Sequence, residues 1–222
     1  WPRAASRDGM TLTGKTILIT CGPTWVPVDD VRVISNKSSG QMGQSLARAA
    51  QRRGMRVTLL EGPVTVPLRS AAIRIRKFQF YSELDNLLRE ELARGYDVVI
   101  HAAAVADYCL KKVFPRKIAS GQPALTLDLR PTRKLIMGIK ALAPRSLLVG
   151  FKLESTVDPG HLIRQAQPLL KRAGCDLVVA NSLADGYRGL LLHRDHPDVV
   201  LSEARSRAQL VSRLMRALGE RL

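Results

Sequence analysis

Six short apolar runs punctuate the chain. Thr16–Cys21, Arg56–Glu61, Asp97–Ala102, Ser146–Phe151 and Asp176–Ala180 are nearly continuous, and Ile73–Phe78 alternates as IRIRKF. Runs of this length and β-branched content predict strands, the continuous ones buried on both faces as in a parallel sheet. Between them the spacing of apolar residues changes to helical. A helix is predicted over Gly40–Arg53, and a second over Ser82–Arg94 with Leu84, Leu87, Leu88 and Leu92 on one face. Thr132 is placed to cap a helix over Arg133–Leu142. Another spans Gly160–Ala173, bent at Pro168. Leu190–His193 and Val199–Leu201 predict a terminal β-hairpin, and Ser202 is expected to cap a last helix through Ala204, Leu210, Leu214 and Leu218. The alternation breaks over residues 107–130, where Lys111, Lys112, Pro115, Lys117, Gly121 and Pro123 leave room only for a short strand, Ala124–Leu129. This stretch reads as an inserted arm outside the main sheet. The pattern as a whole predicts an α/β fold: a doubly wound, mostly parallel, Rossmann-like sheet with an arm, a C-terminal hairpin and a helix.

Composition narrows the class. The 222 residues suit a single domain over 14–222, with residues 1–13 read as a disordered leader or the remnant of a cut from a longer polypeptide. No apolar run approaches a membrane span. Cys21, Cys109 and Cys175 are far apart and lie in or beside apolar runs, which predicts buried, reduced thiols and a cytoplasmic protein. The net charge of +16 favours anionic partners. The basic residues are dispersed and aromatics few, so neither a basic stripe nor a stacking platform for nucleic acid stands out.

Candidate chemistry centres on residues 17–54, where a buried strand, a polar loop, a glycine and a helix follow one another. That order aims free backbone N–H groups at an anion. The sequence has neither GxxxxGK[ST] nor GxGxxG. Gly22-Pro23-Thr24 alone reads as a plain strand-to-loop turn; Ser38-Ser39-Gly40 at a helix start is a better phosphate cradle, or equally an ordinary serine cap. Ala102–Asp107 (AAAVAD) follows a buried strand. Its small residues admit a flat ring or a ribose, and Asp107 accepts hydrogens from hydroxyl or amine groups. Lys117 on the arm is placed to close over a triphosphate, or is a surface lysine. His193 and His196 fall in a segment of turn formers, and no metal site is assigned there.

Taken in order, ITCGPTWVPVDDVRVISNKSSGQMG, AAAVADY, PRKI, LLVGFKLES and CDLVVANS resemble the phosphopantothenoylcysteine synthetase family. The resemblance implies a ligase that joins 4′-phosphopantothenate and cysteine in coenzyme A biosynthesis. A nucleoside triphosphate, CTP or ATP, activates the carboxylate as an acyl-nucleotidyl intermediate, and Mg²⁺ screens the triphosphate. It implies a homodimer in which the arm helps dimerise and reaches toward the partner's site. In many bacteria the synthetase is fused to a flavin-dependent decarboxylase, so a separate decarboxylase is a candidate partner. By resemblance, Gly22, Pro23, Thr24, Ser38, Ser39 and Gly40 handle phosphate and Asn36 sits at the reacting acyl group. Ala103, Ala104 and Asp107 form the nucleotide edge, Phe151 lies beside the nucleotide, Lys117 is the flap lysine, and Lys171 a phosphate lysine. The chain departs from the pattern in three places. The KxKK motif reads Lys117-Ile118-Ala119-Ser120, the usual Asn-Asp reads Asn181-Ser182, and Lys152 follows Phe151 where fused bacterial members usually have small residues. On the residues alone, an NAD(P)-dependent reductase and a basic nucleic-acid-binding module stay open as other classes.

Overall fold

The computed structural model describes residues 12–121, 123–156, 158–184 and 186–222. The chain runs β1 (Thr16–Cys21), β2 (Trp25–Pro27), β3 (Val33–Ser35), α1 (Gln41–Arg52), β4 (Arg56–Glu61), β5 (Ile73–Lys77), α2 (Tyr81–Leu92), β6 (Val98–His101) and β7 (Tyr108–Leu110). It continues with β8 (Leu129–Pro131), α3 (Ile136–Leu142), β9 (Leu147–Glu154), α4 (Pro159–Arg172), β10 (Leu177–Ser182), β11 (Arg188–His193), β12 (Val200–Ala204) and α5 (Arg207–Gly219).

The main sheet has eight strands in the order β12-β11-β10-β9-β6-β1-β4-β5. The six from β5 to β10 are parallel, and β11 and β12 add on antiparallel. Numbered in chain order, the parallel strands read 3-2-1-4-5-6 across the sheet, the doubly wound arrangement whose order reverses between β1 and β6. Alternate strand residues feed two cores. Ile17, Ile19, Val57, Leu59 and Ile100 join α1 and α5 on one face; Leu18, Leu60, Val99, Leu148 and Val178 join α2, α3 and α4 on the other. Cover on both faces is why these strands read as continuous apolar runs.

No helix links β4 to β5. The connection is tied instead by Glu61, whose buried carboxylate accepts the Leu68 N–H at 3.0 Å and the Gln44 side-chain amide at 2.8 Å, and pairs with Lys77. Glu91, also buried, fastens α2 to β5 through Arg74 and Arg76, each at 2.7 Å. Burial would raise its carboxyl pKa, but the hydrogen bonds from Arg74, Tyr96 and Arg76 outweigh this and hold it at about 2.

Two small antiparallel pairs stand outside the sheet, β2 with β3 and β7 with β8. Val26 and Val28 of the hairpin pack on Ala106 and Leu110 at the foot of the arm, with Ile118 and Leu127 against them. Asp29 pins the arm further: its buried carboxylate accepts the Ile118 N–H at 3.0 Å, and Arg32 donates to the Ile118 carbonyl at 3.2 Å. The Ile118 N–H, with those of Val31 and Arg32, holds the Asp29 carboxyl below its usual range against the opposing effect of burial.

Several expectations need correction. The strand of the arm is Leu129–Pro131, not Ala124–Leu129, because the partner Tyr108–Leu110 reaches only that far. Thr132 does not cap a helix: its hydroxyl donates to Ala106 O at 2.7 Å, and α3 starts only at Ile136. Ser202 lies within β12; Ser206 is the cap of α5, accepting the Gln209 N–H at 3.2 Å. Cys109 is half-buried, unlike the buried Cys21 and Cys175. Residues 1–11 of the expected leader lie outside the described residues, while Leu12 is buried and bonds Arg53 O through its N–H. Among the described residues no helix is long and apolar enough to cross a membrane.

Candidate active site

The strand order reverses where β1 and β6 end, and there the carboxyl ends of β6, β9 and β10 open into a cleft of about 810 Å³. Such a crevice is where a doubly wound sheet binds ligands. Its walls are Asn36–Gly40 with Met42 and Gly43, then His101–Asp107, Thr132–Met137, Phe151–Leu153, Gln165, Asn181, Tyr187 and Arg207 among others. Five basic side chains line it (Lys37, Arg133, Lys134, Lys152 and Arg207) against one acidic, Asp107. The cleft is therefore built for an anionic ligand.

At one wall stands the start of α1. Gly40, its N-cap, has φ 70°, a left-handed conformation that glycine adopts freely. No side chain caps the helix, and its first turn holds no acidic residue. The Ser38 and Ser39 hydroxyls fold back only loosely, on Gly40 N at 3.4 Å and Gln41 N at 3.5 Å. Free N–H groups and the positive helix end thus face the cleft, an anion site in form.

Ala102–Asp107 forms the floor. Gly22 and Thr24 zip against it: Ala104 N donates to Gly22 O at 2.9 Å, and Ala106 N to the buried Thr24 hydroxyl at 2.9 Å. Asn36, at the exit of β3, donates its side-chain amide to Ala104 O at 3.2 Å and Val105 O at 3.4 Å. Asp107 pairs with Lys134.

Of the residues singled out in the sequence, Asn36, Ser38, Ser39, Gly40, Ala103, Ala104, Asp107 and Phe151 converge on this cleft. Gly22, Pro23 and Thr24 lie buried behind its floor, bracing it, and do not line it. Lys117, on the arm, and Lys171, exposed in the last turn of α4, are outside it within one chain. Among the described residues no group of three or more His, Cys, Asp or Glu is gathered to hold a metal ion. A Mg²⁺ bound chiefly through triphosphate oxygens and water would need no such group.

His101 is a cleft residue hidden in the sequence by its place at the end of an apolar strand. It is 7% exposed, and burial pushes its pKa down to about 4. The Thr20 hydroxyl accepts the Ala103 N–H at 3.1 Å and is hydrogen-bonded to His101 Nδ1 at 3.0 Å, which holds the neutral ring in place. A sign follows for stability. Unfolded, the ring takes a proton below about 6.5, but in the folded protein only near 4. Its contribution is fully present above pH 6.5 and is lost as pH falls, amounting to about 3 kcal/mol by pH 4. Denaturant unfolding at pH 7.5 and 4.5 should show this loss in the wild type and its absence in His101→Asn. Parallel profiles would remove the assignment of a neutral buried ring.

Comparison with known proteins points the same way. Residues 12–217 match the family described as DNA/pantothenate metabolism flavoprotein C-terminal domain. The coenzyme A biosynthesis bifunctional protein CoaBC of Thermococcus kodakarensis is 42% identical over 174 residues. That match takes in 78% of this chain and 42% of the other, so the chain spans less than half the length of this relative. The solved DNA/pantothenate metabolism flavoprotein of Streptococcus pneumoniae superimposes with a TM-score of 0.83 at 25% identity, covering 94% of this chain and 100% of that one. A solved C-terminal domain of CoaBC gives a TM-score of 0.76 at 25% identity, covering 95% and 96%.

Proposed function

Because the chain belongs to the DNA/pantothenate metabolism flavoprotein C-terminal domain family, we propose that it joins 4′-phosphopantothenate to cysteine at the expense of a nucleoside triphosphate. The carboxylate attacks the α-phosphorus of CTP or ATP, pyrophosphate leaves, and an acyl-nucleotidyl anhydride forms. The cysteine amine then attacks the acyl carbon, and the nucleoside monophosphate departs. The observation that carries this reading is the cleft itself, where an uncapped helix start, a small-residue floor and a basic lining meet at the switch point of the sheet. The chemistry calls for positioning and charge stabilisation, and these residues supply both.

In this reading Ser38–Gly40 hold phosphate, and Ala103, Ala104 and Phe151 bound the nucleotide. Gly22, Pro23 and Thr24 act by bracing the floor. Lys117 serves a partner's cleft in a homodimer. The arm and hairpin carry apolar side chains that a partner would cover: Val31 is 65% exposed and Tyr108 56%, with Phe114 and Leu125 also open. Pyrophosphate release should require phosphopantothenate with CTP or ATP, and phosphopantothenoylcysteine should form once cysteine is added. Silence with both nucleotides sinks the proposal; the ratio of the two rates assigns the nucleotide.

A further inference from the structure

Arg207 opens α5 and lines the cleft beside Ser38, Ser39 and Gly40. Among the described residues no carboxylate lies within ion-pairing distance of it, whereas Arg133, Lys134 and Lys152 of the same cleft pair with Asp85, Asp107 and Glu154. Its guanidinium donates instead to the neutral side chain of Gln41, at 2.5 Å. Gln41 is the first residue of α1. The two helix starts are thereby latched together, and an uncompensated cation is held at the uncapped end of α1.

Guanidinium and helix N–H groups are all donors, and the group that complements them is rich in anionic oxygens.

We infer that Arg207, with the start of α1, holds the polyphosphate tail of the nucleoside triphosphate, so that pyrophosphate departs along the α1–α5 side of the cleft. This rests on the nucleotide-dependent reading above. Asn36, tied to Ala104 and Val105 at the end of β6, marks the other side, where the retained α-phosphate and the acyl group meet. A contact confined to the tail distinguishes triphosphate from monophosphate without touching base or ribose.

Titration calorimetry on the whole chain tests it, with CTP, ATP, CMP, AMP and pyrophosphate as probes. Arg207→Gln should weaken the better-bound triphosphate and pyrophosphate by about tenfold or more, the cost of a lost charge-assisted hydrogen bond. Monophosphate affinity should stay within about twofold. Arg207→Lys, which keeps the charge but not the fork of donors, should show a partial recovery. Unchanged triphosphate affinity in Arg207→Gln, or an equal loss for mono- and triphosphate, overturns the inference. Wild-type protein that binds triphosphate without ligating leaves this test intact and removes the ligase reading alone. Wild-type protein that binds none of the probes removes both.

Discussion

Asn36→Ala is expected to lower turnover by about 10²–10³-fold, the loss typical of removing one aligned polar group from a reacting centre, with little change in stability. Asn36 is exposed at the mouth of the cleft, so no core is disturbed. Its amide nitrogen is committed to Ala104 O and Val105 O. The side-chain oxygen on the opposite side is then an acceptor, not a donor, toward the ligand. Of the reacting groups in the proposed sequence, the one that needs an acceptor is the cysteine amine, which must be oriented and must lose a proton as it attacks. The defect should therefore fall on the second half of the reaction. Pyrophosphate should still be released on mixing enzyme, phosphopantothenate and nucleotide, up to about one equivalent per site, while phosphopantothenoylcysteine forms slowly. Quenched-flow measurement of both products separates the halves. Equal slowing of both would show that Asn36 positions the carboxylate rather than the amine.

The central sheet was legible because strands covered on both faces leave continuous apolar runs, and Thr16–Cys21 and Asp176–Ala180 are such runs. The C-terminal part of β9 was not: Lys152 and Glu154 look like loop residues, yet β9 continues to Glu154 because β10 pairs with it throughout. Ser202 and Ser206 are both plausible caps by local chemistry. Only the pairing of Ser202 with Leu191 in β11 shows that the helix must wait for Ser206. The site divides in the same way. Asn36, Ser38–Gly40 and Ala103–Asp107 follow strand ends directly, and the strand-to-loop pattern exposes them. His101 is masked as the last residue of an apolar strand; a lone histidine there, at the carboxyl end of a central strand, was the signal available. Arg207 carried none. It is one arginine in a chain rich in them, and its tether to Gln41 joins residues 166 positions apart.

Gly43→Val should cost about 3 kcal/mol or more of stability, with a lowering of the unfolding midpoint to match. Gly43 sits in the first turn of α1, where the helix rests on the end of β1. A Cβ added there would lie 2.4 Å from the Cβ of Cys21 and 3.3 Å from Thr20 O. Cys21 is fully buried in the central strand and has no room to yield, so the helix itself must move. Even Gly43→Ala, which gains about 1 kcal/mol in helix propensity, should be net destabilising, because overpacking of this kind costs about 1–3 kcal/mol and here acts on a buried strand. Gly138→Ala supplies the contrast. It is the same change inside α3, but the added Cβ meets only the flexible end of Arg133, at 3.1 Å. There the propensity term should win and stability should rise or hold. The displaced α1 also carries the N–H groups of the proposed phosphate cradle, so Gly43→Ala should weaken triphosphate binding by more than its loss of stability alone would explain. Denaturant midpoints and calorimetry on the two alanine variants decide the matter. If Gly43→Ala and Gly138→Ala behave alike, close packing of α1 on β1 is not what sets the cleft.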